Sequence, residues 1–200
     1  SLFAVARQVL GLDPLWWRDV MACYGVTPSH ARALGQRRSD RRPTFPAGPT
    51  GRTYEEIWRS RPRKTTADII AFYSDLGSWP VFRQVYRHRY RSWPEVSVAL
   101  PRGGVLIEYG CGIAPVTWWL TQRRQDFTPM LVDVPGQALS FALYRLARFR
   151  PLFQVDREIV TDERLPLLPI CDVAVVSEVL EHVPSPVAVI RNIFLSLKPG

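Results

Sequence analysis

The chain has 200 residues, 46% of them hydrophobic and 22% charged, and its net charge is +8. This composition is typical of a globular protein and excludes a disordered chain, and no apolar run approaches the roughly 20 residues needed to cross a bilayer. The three cysteines (Cys23, Cys111 and Cys171) are far apart, which excludes a C-x-x-C metal pair or a disulfide framework. We therefore expect reduced thiols in a cytoplasmic protein.

The positive charge comes from the N-terminal half of the chain. Residues 1–100 carry 16 Lys or Arg against 8 Asp or Glu, whereas residues 101–200 carry 10 of each. Such an excess can attract nucleic acid or an anionic substrate. A compositional explanation remains open, because Lys64 and Lys198 are the only lysines among 26 basic residues. No nucleic-acid-binding module is visible.

Residues 1–100 predict a helical, basic and aromatic-rich segment. A helix is expected to begin at Asp13-Pro14 and to run to about Tyr24, because proline suits the first turn of a helix. Residues 28–52 are rich in proline, glycine and arginine and predict a loop or linker. We expect this half of the chain to cover an active site and to supply its substrate pocket.

Two more helices are predicted before residue 101. Thr65 and Asp68 have the spacing of a capping box, which predicts a helix that begins just after Thr65. A second helix is predicted over residues 81–91. Three arginines recur every four residues along it and therefore form one stripe, either solvated or facing an anion: Arg83, Arg87 and Arg91.

Residues 101–200 alternate between short apolar runs and helical patterns. The runs predict buried parallel strands, at residues 105–107, 130–132, 158–160 and 173–176. Helices are predicted between and after them, at residues 115–124, 136–149 and 186–197. This alternation predicts an α/β fold in which helices cover both faces of a parallel sheet.

The most informative motif begins where the first predicted strand ends. Glu108 ends the strand, and Gly110 and Gly112 form a turn that can adopt positive φ and approach a ligand closely. Open α/β sheets bind ligands at such strand ends. The dinucleotide fingerprint G-x-G-x-x-G fails, because Pro115 replaces its third glycine. A carboxylate at Glu108 would also repel a pyrophosphate and favour a cation, so a nicotinamide enzyme is disfavoured.

Residues 103–200 resemble the class I (Rossmann-like) S-adenosylmethionine-dependent methyltransferases. Motif I of that family is an acidic residue followed by x-G-x-G-x-G, and the chain follows it from Glu108, with Ala114 at the last glycine. The segment from Asp172 to Val183, which contains V-L-E-H-V, resembles the family's fourth-strand segment. The resemblance implies a Rossmann-like parallel sheet and S-adenosyl-L-methionine as the cofactor. The sulfonium and ammonium charges of this cofactor agree with the negative charge of Glu108.

The resemblance also implies a set of cofactor-binding residues. Asp133, 25 residues after Glu108, ends the second strand and would accept hydrogen bonds from the ribose hydroxyls. Asp162, after the third strand, would accept a bond from the adenine amino group. The full expected set is Glu108, Tyr109, Gly110, Cys111, Gly112, Asp133, Val134, Asp162 and Glu178.

Catalysis is expected from His182 and Glu178, next to the reacting groups. An imidazole titrates near neutrality, so His182 would suit a general base. Two alternatives stay open for this segment. Glu178, Glu181 and His182 form E-x-x-E-H, with which one subset of the family binds a divalent metal, or the segment has a structural role alone.

These motifs predict methyl transfer to a small-molecule acceptor, with a hydroxyl oxygen as the favoured target and no membrane partner. The alternatives are an RNA methyltransferase that uses the basic N-terminal half, and a non-catalytic cofactor-binding fragment. We expect two units, an N-terminal cap at residues 1–100 and a Rossmann-like domain at residues 101–200. The family's sheet has seven strands and only four are found here, so we expect this domain to be truncated after its fourth strand. The sequence does not predict the oligomeric state.

Overall fold

A computed structural model of the chain describes residues 14–27, 29–30, 54–62, 64–88, 91–149, 156–160 and 165–199. Nearly all of the loop or linker predicted at residues 28–52 lies outside these ranges. The candidate adenine-binding residue Asp162 also lies outside them.

Four parallel strands form one sheet with the order β3-β2-β1-β4. They are β1 (Gly104–Tyr109), β2 (Phe127–Asp133), β3 (Asp156–Ile159) and β4 (Val173–Val176). The chain runs outward from β1 to β3 and then returns to place β4 on the other side of β1. This reversal makes the carboxyl ends of β1 and β4 the switch point at which open α/β sheets bind ligands. The predicted Rossmann-like sheet is confirmed.

Three helices follow the strands of this sheet: α6 (Pro115–Thr121), α7 (Gln137–Leu146) and α8 (Pro186–Ser196). Helix α6 ends three residues earlier than the sequence pattern predicts. The Arg124 guanidinium is bound there by the carbonyl groups of Leu100 and Pro101, which turns the chain toward β2. Helix α7 is followed by a single 3₁₀ turn at Ala147–Phe149, which completes the predicted span.

The helices that precede the sheet include α1 (Pro14–Tyr24), α2 (Tyr54–Ser60), α3 (Thr66–Leu76), α4 (Trp79–His88) and α5 (Pro94–Ala99). The capping box is confirmed, because the Thr65 side chain accepts from the Asp68 amide while the Asp68 carboxylate accepts from the Thr65 amide. Helix α4 begins two residues before the predicted start and includes Pro80. Proline is tolerated there because the N–H groups of the first turn have no partner within the helix.

A shared hydrophobic core joins the N-terminal helices to the sheet. Trp16 and Val20 of α1 and Val81 of α4 are almost fully buried in the same cluster as Trp118 of α6 and Phe141 of α7. Each such side chain contributes roughly 1.5–3 kcal/mol to folding when it leaves water. This packing holds α4 against the turn that follows β1.

All three cysteines are free, with Cys111 and Cys171 buried and Cys23 exposed. In the part of the chain that the structure describes, every helix is too short or too polar to span a membrane.

Candidate functional site

The turn after β1 has the backbone conformation that its glycines predict. Gly110 has a φ of 63° and Gly112 a φ of 53°. A Cβ atom at Gly110 would clash with the Val179 side chain, and one at Gly112 would clash with the Gln84 side chain. Ala114 has a φ of 50°, so it occupies the left-handed region that favours glycine. The one departure from motif I is therefore a strained residue.

The backbone amides of this turn all donate inside the protein. The amides of Gly110 and Cys111 donate to the Val132 carbonyl, at 2.7 and 3.1 Å. The amide of Gly112 donates to Asp133, and that of Ile113 donates to Gln84 Oε1 at 3.0 Å. The turn therefore presents no free donor to an incoming anion.

The Glu108 carboxylate lies at the N-terminus of helix α6, which is where a phosphate would bind to the helix amides. Its side chain is 4% exposed, and its oxygens accept from the amides of Val116 and Thr117, at 3.1 and 2.9 Å. A carboxylate there is stabilised by the positive end of the helix dipole. Burial raises the pKa of Glu108 to about 7, although its hydrogen bonds with Thr117 and Val116 and the nearby charge of Arg145 act to lower it.

Asp133 lies at the carboxyl end of β2, beside the glycine turn. Its Oδ2 accepts from the Gly112 amide at 2.5 Å and its Oδ1 from the Val134 amide at 2.7 Å. Each carboxylate oxygen can accept a second hydrogen bond, so Asp133 retains acceptor capacity toward a ligand. Burial raises the pKa of Asp133 to about 6, which these hydrogen bonds oppose.

Glu178 follows β4 and forms an ion pair that the sequence did not predict. Its two oxygens meet the two terminal nitrogens of Arg87 on α4, at 3.0 and 3.1 Å. The hydrogen bond and charge of Arg87 hold the pKa of Glu178 below its usual range. Glu178 also has a positive φ of 59°, an uncommon conformation for a non-glycine residue that is often found at functional sites.

His182 lies four residues after Glu178 in the turn region that follows β4, with its ring held edge-on to the Trp58 ring at 5.6 Å between centroids. Its Nε2 is 3.9 Å from a carboxylate oxygen of Glu181. No three His, Cys, Asp or Glu side chains among the described residues form a group that could hold a metal ion. In this arrangement the Glu178 carboxylate is paired with Arg87.

One cavity of about 190 Å³ brings the predicted site together. Every predicted cofactor-binding residue lines it except Asp162, which lies outside the described ranges. His182 also lines it, whereas Glu181 does not.

The N-terminal helices and Arg91, just after α4, supply the rest of the cavity wall. The lining residues there include Thr66, Tyr73, Gln84, Arg87, His88 and Arg91. Arg87 and Arg91 belong to the arginine stripe that the sequence predicted, whereas Gln84 was not predicted. Gln84 gave no signal because a single polar residue on an amphipathic helix is ordinary. Its role follows only from its contact with the turn, 29 residues away in sequence.

Comparison with known proteins identifies a family model and similar solved structures. A family model described as a methyltransferase domain matches residues 82–200, from α4 onward. Among solved structures, a SAM-dependent methyltransferase from Methanosarcina mazei is similar, with 22% identity and a TM-score of 0.43 over 55% of this chain and 54% of that one. The chain thus spans about half the length of that protein. No curated protein matches the chain.

Proposed function

The chain belongs to the methyltransferase-domain family, and we propose that it binds S-adenosylmethionine and transfers the methyl group to a small-molecule acceptor. One observation carries the proposal: carboxylates line the cavity at the switch point of the sheet, and the amides of the glycine turn are all bonded within the protein. Glu108 caps α6, and Asp133 holds the Gly112 amide. A pyrophosphate would find its donors taken, whereas a nucleoside with positive charge finds compatible groups.

The residues present fit this cofactor by the chemistry of their side chains. Asp133 has acceptor capacity for ribose hydroxyls at the end of β2, where nucleoside-binding α/β folds place an acidic residue. Glu178 brings a second carboxylate to the cavity, suited to an ammonium group. Gly112 and Ala114 have positive φ, which gives the turn between β1 and α6 its shape.

S-adenosylmethionine supplies a methyl group on sulfur, which is already a good leaving group. The protein has to align donor and acceptor and to exclude water. Helices α3 and α4 contribute one wall of the cavity, and the strand ends contribute the other groups. The N-terminal half would thereby serve as the acceptor side of the site.

We propose a hydroxyl oxygen as the target atom and His182 as the general base. The imidazole of His182 lines the cavity, and its contact with Trp58 restricts the orientation of the ring. Removal of a hydroxyl proton by a positioned imidazole contributes typically 10²–10⁴-fold to a rate. Glu178 is the neighbouring candidate for binding or orienting the reacting groups.

The first experiment compares S-adenosylhomocysteine with NAD by thermal unfolding of the full chain. A ligand at about 100 times its Kd stabilises a protein by about 2.7 kcal/mol. We expect S-adenosylhomocysteine to raise the unfolding midpoint and NAD to leave it unchanged. A shift with NAD alone would contradict the proposal. Tight S-adenosylhomocysteine binding without methyl transfer to any acceptor would leave a binding module in place of an enzyme.

A further inference from the structure

The cavity wall formed by α4 and the residues just after it is positively charged. Arg87 and Arg91 both line the cavity, while the carboxylates of Glu108 and Asp133 lie at the strand ends. Those two carboxylates bind backbone amides. The exposed Arg91 guanidinium has no side-chain hydrogen bond or salt bridge among the described residues, although its charge helps to lower the pKa of Glu178. A cation left unpaired in a cavity is a binding group for an anion.

The contact between Arg87 and Glu178 has the geometry that we expect for a bound anion. Two of its nitrogens meet the two oxygens of Glu178 at 3.0 and 3.1 Å, which is the paired arrangement of a guanidinium with a carboxylate. About half of each side chain is exposed (50% for Arg87 and 56% for Glu178). Exposed ion pairs contribute little to stability, so a ligand anion can replace Glu178 on Arg87 at low cost.

His88 contributes a second polar group without a partner to the same wall. Its ring lines the cavity, and its Nδ1 is buried without a hydrogen-bond partner among the described residues. Burial, together with the charges of Arg91 and Arg87, lowers the pKa of His88 to about 4, and the carboxylate of Glu178 opposes this shift. The imidazole is therefore neutral at pH 7, and it can share in a hydrogen bond to a ligand without cancelling the charge of either arginine.

We propose that the methyl acceptor carries an anionic group, a carboxylate or a phosphate, which Arg87 and Arg91 bind, with Glu178 as the intramolecular occupant of Arg87 before the acceptor arrives. The inference rests on the proposed function, because it assigns this wall to the acceptor. It also accounts for Glu178: a cationic cofactor draws the Glu178 carboxylate away from Arg87, which frees that guanidinium for the acceptor.

The test is a calorimetric comparison of three matched probes on the full chain, with and without saturating S-adenosylhomocysteine. The probes are 4-hydroxybenzoate, phenyl phosphate and neutral 4-hydroxybenzamide. A charge-assisted hydrogen bond corresponds to a gain of about tenfold or more in affinity. We expect at least one of the two anions to bind about tenfold more tightly than the amide, and the better anion identifies the group. Equal affinities of all three probes, including no detectable binding of any, would overturn the proposal.

Three variants locate the anion site. Arg87→Gln and Arg91→Gln should each abolish the preference for the anion. Arg83→Gln is the matched control, because Arg83 lies one turn earlier on α4, stacks on the Trp79 ring at 5.0 Å and does not line the cavity. It should leave the preference unchanged. An equal loss in all three variants would indicate general attraction to a basic surface, as an RNA-binding protein would show, and would overturn the proposal.

In contrast to the arginine variants, Glu178→Gln should increase the affinity for the anion. Removal of the competing carboxylate should strengthen anion binding in the absence of S-adenosylhomocysteine, which a merely structural Arg87–Glu178 pair would not do. The affinity for S-adenosylhomocysteine is titrated separately in every variant. If the chain binds no S-adenosylhomocysteine but retains the anion preference, the proposed function fails while the anion site stands.

Discussion

The carboxylate of Glu108 is joined to Thr117 by two hydrogen bonds, from the Thr117 amide at 2.9 Å and from its hydroxyl at 2.6 Å. These bonds connect the end of β1 to the first turn of α6 across the glycine turn. Glu108 was expected to contact the cofactor. The structure also gives it a second task, because it satisfies helix amides that would otherwise lack partners.

Glu108 should make the protein less stable as the pH rises toward neutrality. The pKa of Glu108 is raised from about 4.5 to about 7 by burial, so the folded state holds its proton more tightly than the unfolded state. That stabilisation is complete below about pH 4.5 and is lost as the pH rises through about 7. At about 1.4 kcal/mol per pKa unit, the loss is on the order of 3 kcal/mol.

Urea unfolding at pH 5, 6, 7 and 8 measures this dependence. We expect the free energy of unfolding to fall over this range in the unmodified chain and to change much less in Glu108→Gln. Asp133→Asn is the control, since the pKa of Asp133 is raised only to about 6 and its contribution ends at lower pH. An unmodified chain that becomes more stable from pH 5 to 8 would refute the assignment.

Replacement of Asp133 should weaken S-adenosylhomocysteine binding. Asp133→Asn removes the negative acceptor, and hydrogen bonds to charged groups contribute about 1.5–3 kcal/mol. The expected loss in affinity, measured by calorimetry, is about tenfold to a hundredfold. Affinity for the unmodified chain should also fall below about pH 6, where Asp133 becomes protonated. Asp126→Asn, an exposed residue paired with Arg124 outside the cavity, should change neither quantity.

Gln84 should act as a positioning residue for the glycine turn. Its Oε1 accepts from the Ile113 amide, and Gln84→Leu would leave that amide without a partner at a cost of about 1–3 kcal/mol. We expect about a tenfold loss in S-adenosylhomocysteine affinity. Gln84→Glu keeps an acceptor at this position and should retain most of the affinity. Gln122→Leu, on an exposed side chain at the end of α6, serves as the control, and an equal effect there would argue against positioning.

Arg145 should be among the most costly arginines to replace. Its fully buried guanidinium lies 3.6 Å from the centroid of Trp16 and 4.3 Å from that of Trp118, and it donates to the Ile113 carbonyl at 2.9 Å. Lysine cannot reproduce a planar group that stacks and donates at once. Arg145→Lys should therefore lower the free energy of unfolding by about 2–4 kcal/mol.

Arg123→Lys is the matched control for Arg145. Arg123 lies 3.9 Å over the Trp119 ring, but it is exposed, and stacking at exposed sites contributes only about 0.5–1 kcal/mol. Urea unfolding of both variants provides the comparison. Similar small losses in the two would mean that the buried stack does not hold α1 and the glycine turn together.

His182→Ala should lower the rate of methyl transfer by about 10²–10⁴-fold while leaving S-adenosylhomocysteine affinity within about twofold, since a general base acts on the acceptor proton. Transfer of labelled methyl from S-adenosylmethionine to a hydroxy-acid acceptor provides the rate. His30→Ala, on an exposed histidine outside the cavity, is the control. Full activity in His182→Ala would favour the structural role for the V-L-E-H-V segment.

The sequence alone determined the features that depend on neighbours along the chain. Apolar runs predicted the four strands, the glycine spacing predicted the turn, and Thr65 with Asp68 predicted the start of α3. Glu108 and Asp133 could be identified because each ends a strand, and the carboxyl ends of parallel strands meet at one edge of a sheet.

Only the tertiary structure decided which groups from the N-terminal half reach that edge. Gln84 meets Ile113 across 29 residues, and Arg87 meets Glu178 across 91. Neither pair leaves a local pattern, because each depends on how α4 docks against the turn. That docking is set by the packing of large side chains such as Trp16, Phe82 and Trp118. Hydrophobic periodicity predicts which face of a helix is buried, but it does not predict which element that face packs against.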